Sequence, residues 1–282
     1  MASNVDSNGA SPTTVTDFKG PDFLSILQTP LFTFHIGEDR TPMKIHTGAV
    51  KGISDPLDAM MNNGMRESIT GIAVLEDVDV STFAGFCEYI YSGAYKTPAR
   101  EALPDPQEAE TEKENLFSVI EPPLKRRRYY PSHEQEYSEL RRAFTNLTNR
   151  DFRVPAPRGL LDTHFERPSN PDMTFHAKVY VFATQYLATP LRIYALKNLY
   201  YDLANCPLDE ESAEAVMDLL LYVYDNTTDV DEPGGKSFLR EMVMTFVSRK
   251  ARHRNIKEQL MQCAAEDHEL LSDLLARILK SN

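Results

Sequence analysis

The sequence predicts an α+β fold: a small β-sheet flanked by helices, then an all-helical C-terminal extension. Three observations lead there. Apolar and polar residues alternate through Leu31–Ile36 and again through Met43–His46, the period of a strand with one buried face. From Val80 to Tyr91 the apolar positions recur at three- and four-residue spacing, as on an amphipathic helix. After Met173 only that helical period is found.

Residues 1–20 are rich in Ser, Thr, Asn and Gly and read as a disordered tail. Phe23, Leu24, Ile26 and Leu27 suit a short docking helix or turn. Leu31–Ile36, the polar turn Gly37–Arg40 and Met43–His46 read as a hairpin. Thr47–Lys51 is short and weakly helical. Asp55-Pro56 supplies a capping carboxylate and a first-turn proline to a helix with Leu57, Met60 and Met61 inward, which Gly64 ends. Ile69–Leu75 reads as a third strand. Asp79 caps the next helix, whose stripe is Val80, Phe83, Ala84, Cys87, Ile90 and Tyr91; Ser92-Gly93 stops it.

The composition then changes. From Glu101 to Leu124 acidic residues and prolines dominate, and Lys125-Arg126-Arg127-Arg128 follows. Such a segment buries too little apolar surface to offset its ordering entropy, so residues 96–171 read as a disordered charged insertion. Beyond it come helices with inward stripes. They are Phe175, Val179, Phe182 and Tyr186, then Leu191, Tyr194, Leu199 and Leu203 after a Thr189 cap. Later stripes are Val216, Met217 and Leu220, then Phe238–Val247, Ile256–Cys263 and Leu271–Ile278. This divides the chain into a tail (1–20), a core (21–95), the insertion (96–171), closing helices (172–205) and a helical extension (206–282).

With 282 residues and a formal net charge of -12, the chain is a poor non-specific ligand for nucleic acid, whose phosphates need Lys and Arg. Cys87, Cys206 and Cys263 lie too far apart for a CxxC pair or a zinc site. The N-terminus lacks the basic and apolar regions of a secretory signal, and no run of about 18 apolar residues spans a membrane. Gly234-Gly235-Lys236-Ser237 lacks the earlier glycine and the buried strand of a phosphate-binding loop, so it reads as a loop before a helix. His46, beside an apolar strand, suits a bond to a backbone carbonyl at the core edge. No nucleophile–base pair has a spacing that argues for catalysis. A non-catalytic protein without metal, cofactor or small-molecule substrate is therefore expected.

The stretches LFTFHIG, KIHTGAV, AMMNNGMRESITGIAVLEDV and STFAGFCEYIYSGAY, in that order, resemble the BTB/POZ family. FHAKVYVFATQYLATPLRIYALKNL resembles its closing helical pair, placed after a polar insertion as in fungal-type members. Leu31 stands where the family usually opens its first strand with an aspartate that helps line a charged pocket near the dimer interface. The resemblance implies a BTB/POZ fold, a BACK-like extension, and a role in protein recognition. Two forms of that role stay open. One is a substrate-recruiting subunit of a cullin-RING ubiquitin ligase. For this, Met65, Arg66 and Glu67 match the hydrophobic–any–glutamate motif of cullin-binding members, although Met65 also suits a core position and Glu67 a solvated turn. The other is an oligomeric nuclear scaffold or transcription-associated regulator, built with another BTB chain and without a cullin. Lys125–Arg128 after Pro122-Pro123 suits a nuclear-import signal, or a solvated run that balances the acids before it. Nucleus and cytoplasm are both expected locations.

Overall fold

The alternation that opens the core builds a hairpin. Strands β1 (Leu31–Ile36) and β2 (Thr41–His46) pair antiparallel, with Leu31 opposite His46 and Ile36 opposite Thr41. The computed structural model describes residues 23–100, 167–228, 237–266 and 268–280. Strand β3 (Ile72–Leu75) joins the other side of β1 in parallel, giving the order β2–β1–β3. Because strand side chains alternate, Phe32, Phe34, Ile36, Ile45, Ala73 and Leu75 all reach one buried face. The fold is α+β, this small sheet being accompanied mostly by helices.

Before the sheet lies α1 (Phe23–Leu27); after β2 come a 3₁₀ turn (Thr47–Ala49), α2 (Asp55–Asn62) and α3 (Arg66–Thr70). Helix α4 (Val80–Ser92) starts on Asp79, whose carboxylate accepts the Thr82 amide, and stops at left-handed Gly93. The later helices are α5 (Met173–Gln185), α6 (Thr189–Asn205), α7 (Glu210–Asn226), α8 (Phe238–Lys250), α9 (Arg254–Glu266) and α10 (His268–Lys280).

Several boundaries differ from the sequence expectation. Ile69 and Thr70 belong to α3, not to a strand, because Gly71 in the left-handed region ends a helical turn first. The α2 cap is Ser54, not Asp55: its hydroxyl accepts the Leu57 amide and donates to the Tyr186 carbonyl at 2.6 Å. Ala188, not Thr189, occupies the cap of α6. On α4, Val80 faces outward and the buried stripe is Phe83, Phe86 and Ile90. On α10, Leu270 and Leu274 are buried while Leu275 is exposed.

Helices from beyond the insertion close the same core as the sheet. A run of stacked rings leads from Phe32 and Phe34 through Phe83 and Phe86 to Phe182 on α5, with centroids 4.9–5.6 Å apart. Such tilted ring pairs each contribute about 0.5–1.5 kcal/mol beyond the apolar area they bury. Where α4 crosses α5, Gly85 leaves room for the Phe175 ring; a Cβ there would lie 2.7 Å from Cζ. One apolar cluster runs from Ile26 to Leu274. In the extension, buried Arg240 lies over the Tyr224 ring at 4.5 Å, donates to Thr227 Oγ1 and pairs with Glu269. The Tyr224 hydroxyl donates to Asp273, tying α7 to α10.

The stretch expected to be disordered over residues 96–171 is built into the fold at both ends. Ala99 bridges Pro171 antiparallel; the Arg100 amide donates to the Asn170 carbonyl, and the Asp172 amide to that of Pro98. The Arg100 guanidinium reaches Asp218 at 2.7 Å and the Glu211 carbonyl at 3.1 Å, both on α7. Residues 101–166, and the tail expected over 1–20, lie outside the described residues.

Candidate interaction surface

The segment Met65–Val74 places apolar side chains on the surface in a compact order. Met65 is in extended backbone at the start of α3 and its carbonyl accepts the Ser68 hydroxyl. The Thr70 hydroxyl bonds back to the Arg66 carbonyl, and the Gly71 amide closes the helix on Glu67. These local bonds let a five-residue helix stand without burying any of its residues. Met65 is 48% exposed and Ile69 78%. They sit four positions apart, hence on one side of the helix. Ile72 and Val74 follow on the sheet face turned away from the core, and both are exposed.

Met65 therefore does not complete the core, one of its two sequence readings. Full burial of a side chain of this size is worth about 1.5–3 kcal/mol, so covering Met65 and Ile69 together would supply a substantial apolar contribution. In sequence Glu67 lies between them, partly exposed, and Arg66 is exposed. Neither forms an ion pair among the described residues. The corner offers an apolar pair, a carboxylate and a guanidinium from five successive residues.

A second apolar surface belongs to α1. Only Ile26 is buried there; Phe23, Leu24 and Leu27 are exposed. Thr29 holds the helix end by donating to the Ile26 carbonyl and accepting the Gly48 amide. That contact also explains Gly48, since a Cβ would meet Thr29 at 2.9 Å.

The most polar interior feature escaped the sequence reading. His176 on α5 is fully buried. Its Nδ1 lies 2.8 Å from the Tyr95 hydroxyl, and its Nε2 lies 2.9 Å from Asp202 Oδ2 and 3.3 Å from Thr97 Oγ1. Burial, then the nearby Tyr194 and Asp202, push the Tyr95 hydroxyl well above its ordinary range. The Tyr95 hydroxyl therefore keeps its proton. Arg167 completes the group by donating to Asp202 Oδ1 at 2.5 Å and to Asn198, with its guanidinium 4.3 Å over the Tyr201 ring. This enclosed set joins both ends of the insertion to α5 and α6. Asn198 and Asp202, four apart on an otherwise apolar face of α6, were the available sequence signal.

Other expected sites resolve differently. His46 bonds to a side chain, not to a backbone carbonyl: its Nδ1 lies 2.8 Å from the Tyr91 hydroxyl, and its amide donates to that oxygen at 2.9 Å. Ser237 caps α8 through the Arg240 amide, the structural use of the Gly-Gly-Lys-Ser stretch whose first three residues are not described. Lys125, Arg126, Arg127 and Arg128 lie outside the described residues. A cavity of about 200 Å³ between α5 and α7 is lined by Tyr180, Val181, Thr184, Gln185, Asn226 and Thr227. Burial pushes the Cys87 thiol up to about 12, which leaves it an unreactive thiol. Among the described residues no group of three or more His, Cys, Asp or Glu is placed to hold a metal ion, and no helix is long and apolar enough to cross a membrane. In comparison with known proteins, no protein-family model, no curated protein and no solved structure matches the chain.

Proposed function

We propose that this chain is a non-catalytic interaction adaptor of the BTB/POZ type, and that the Met65–Val74 corner docks a cullin in a ubiquitin ligase complex. The observation that carries this reading is the joint exposure of Met65 and Ile69 on either side of Glu67, directly before β3. An apolar pair inserts into a partner's groove, and the adjacent carboxylate fixes its register through a charge-assisted bond. The order of strands and helices around the corner agrees with the family likeness drawn from the sequence. In this reading the helices of residues 172–205 close the BTB/POZ domain and those of 206–282 act as the BACK-like extension.

The test is a cullin pull-down with the full chain and with Met65→Asp/Glu67→Lys. Both positions are off the core, so the variant should melt with the parent while cullin capture falls at least tenfold. Unchanged capture by the variant, or none by the parent, ends the proposal.

A second reading is favoured by α1. Its exposed Phe23, Leu24 and Leu27 suit an oligomeric nuclear scaffold in which a second BTB chain covers them. Solution mass decides it: Leu24→Asp should convert an oligomer to monomer. A parent that is already monomeric excludes it. The nuclear part is tested by following the cellular location of an Arg126, Arg127 and Arg128 to Ala variant.

A further inference from the structure

The turn between α8 and α9 concentrates cations on a chain whose net charge is -12. Arg252, His253, Arg254 and Lys257 are all exposed there, and Arg249 and Lys250 close α8 just before them. None of Arg252, His253, Arg254 and Lys257 makes an ion pair among the described residues. Glu258, next to Lys257 in sequence, is exposed and makes no ion pair among the described residues. The turn is held in place rather than splayed. The His253 amide donates to the Lys250 carbonyl at 2.8 Å, and the Asn255 side chain donates to the Leu208 carbonyl at 3.1 Å. Ile256 and Leu260 anchor the first turns of α9 in the core. Arg254, Lys257 and Met261 then share the outward stripe of α9, by their three- and four-residue spacing. Met261 is 65% exposed.

We infer that this turn and the first half of α9 form a docking surface for an acidic polypeptide segment of a partner protein, one that carries an apolar residue among its carboxylates. Charge complementarity selects the acid, since fixed cations without partners lower the free energy of an incoming carboxylate and speed its approach. One feature favours a polypeptide over a nucleic acid: a phosphate backbone makes no use of the apolar Met261 beside the cations. The surface lies on the helical extension, separate from the α3–β3 corner, and the inference stands whether or not that corner binds a cullin.

Fluorescence anisotropy with the full chain tests it. The probes are a short labelled peptide of repeating Glu-Glu-Leu, the same peptide with Ser for Leu, and single-stranded DNA of equal length. The expected result is saturable binding of the Leu peptide that weakens as salt rises. Affinity should fall about tenfold in Arg252→Glu/Arg254→Glu, as expected for losing a few exposed ion pairs. It should fall about threefold for the Ser peptide, or for Met261→Ser with the Leu peptide, the loss of one partly covered apolar contact. Lys44→Glu, a charge reversal on exposed β2, should leave binding unchanged. No saturable binding, DNA binding tighter than the peptide, equal affinity for the two peptides, an unaffected double variant, or an equal loss in Lys44→Glu would each overturn the inference.

Discussion

Gly85→Ala is the sharpest test of how the chain closes across its insertion. The added Cβ would lie 2.7 Å from Phe175 Cζ, closer than carbon atoms pack. Phe175 is buried, set edge-on to Tyr95 at 5.4 Å and beside His176 at 6.0 Å, so its ring has little room to retreat. Overpacking of this kind costs about 1–3 kcal/mol. Replacing a mid-helix glycine by alanine returns about 1 kcal/mol of backbone entropy. The net expectation is a loss of up to about 2 kcal/mol, read as a lower urea midpoint at constant slope. The clash belongs to one ring, so it vanishes when that ring is shortened. In a Phe175→Leu background Gly85→Ala should be neutral or stabilising by up to about 1 kcal/mol, a coupling typical of touching residues. An equal loss in both backgrounds would mean that α5 does not pack on α4 at this point, and the closing role of the helices after the insertion would fall with it.

Asp202→Ala removes the acceptor of both His176 and Arg167; because Arg167 keeps some exposure, the loss should sit near the low end of buried-pair breakage, about 3 kcal/mol by chemical denaturation. A loss below about 1 kcal/mol would show that the group relaxes onto water. For Asp79, burial raises the pKa, but hydrogen bonds from the Ser81 and Thr82 hydroxyls and the Thr82 amide, with Lys178 nearby, bring it below 3.8 overall. Its folded pKa is depressed, so its contribution is fully present above pH 3.8 and is lost as pH falls through the lower folded value. Asp79→Ala should therefore cost about 1 kcal/mol at neutral pH, and the gap to the parent should shrink only at acid pH in paired melting curves. Cys87, with its thiol near 12, should stay unalkylated by iodoacetamide at mildly basic pH in the folded chain and react fully once unfolded, as read by mass spectrometry.

The elements that were legible carry their own local signals. Strands β1 and β2 announce themselves by alternation with one polar turn, and α4 by an Asp cap, an apolar stripe and a terminal Gly. Helix α3 did not, because Ile69 and Thr70 favour strands and only the conformation of Gly71 decides that the turn before it is helical. Exposure of Met65 was equally hidden: a methionine before a strand suits core or surface, and burial depends on what packs above it. The polar interior was the least legible part. His176 meets Tyr95 and Asp202 across 81 and 26 residues, distances at which spacing carries no information. Composition also misled at the ends of the insertion. Pro98 and Pro171 suggested disorder, yet a proline keeps its carbonyl, and that of Pro98 accepts the Asp172 amide.

Pairing of Ala99 with Pro171 means that the chain leaves and re-enters the fold at one spot. The bonds that join these ends run among residues 98–100 and 170–172. They clamp the two boundaries beside the polar group that both complete, Tyr95 and Thr97 reaching His176 from one side and Arg167 reaching Asp202 from the other. One seam thus fixes both the exit of the chain and the buried polar contacts on which the closing helices rest.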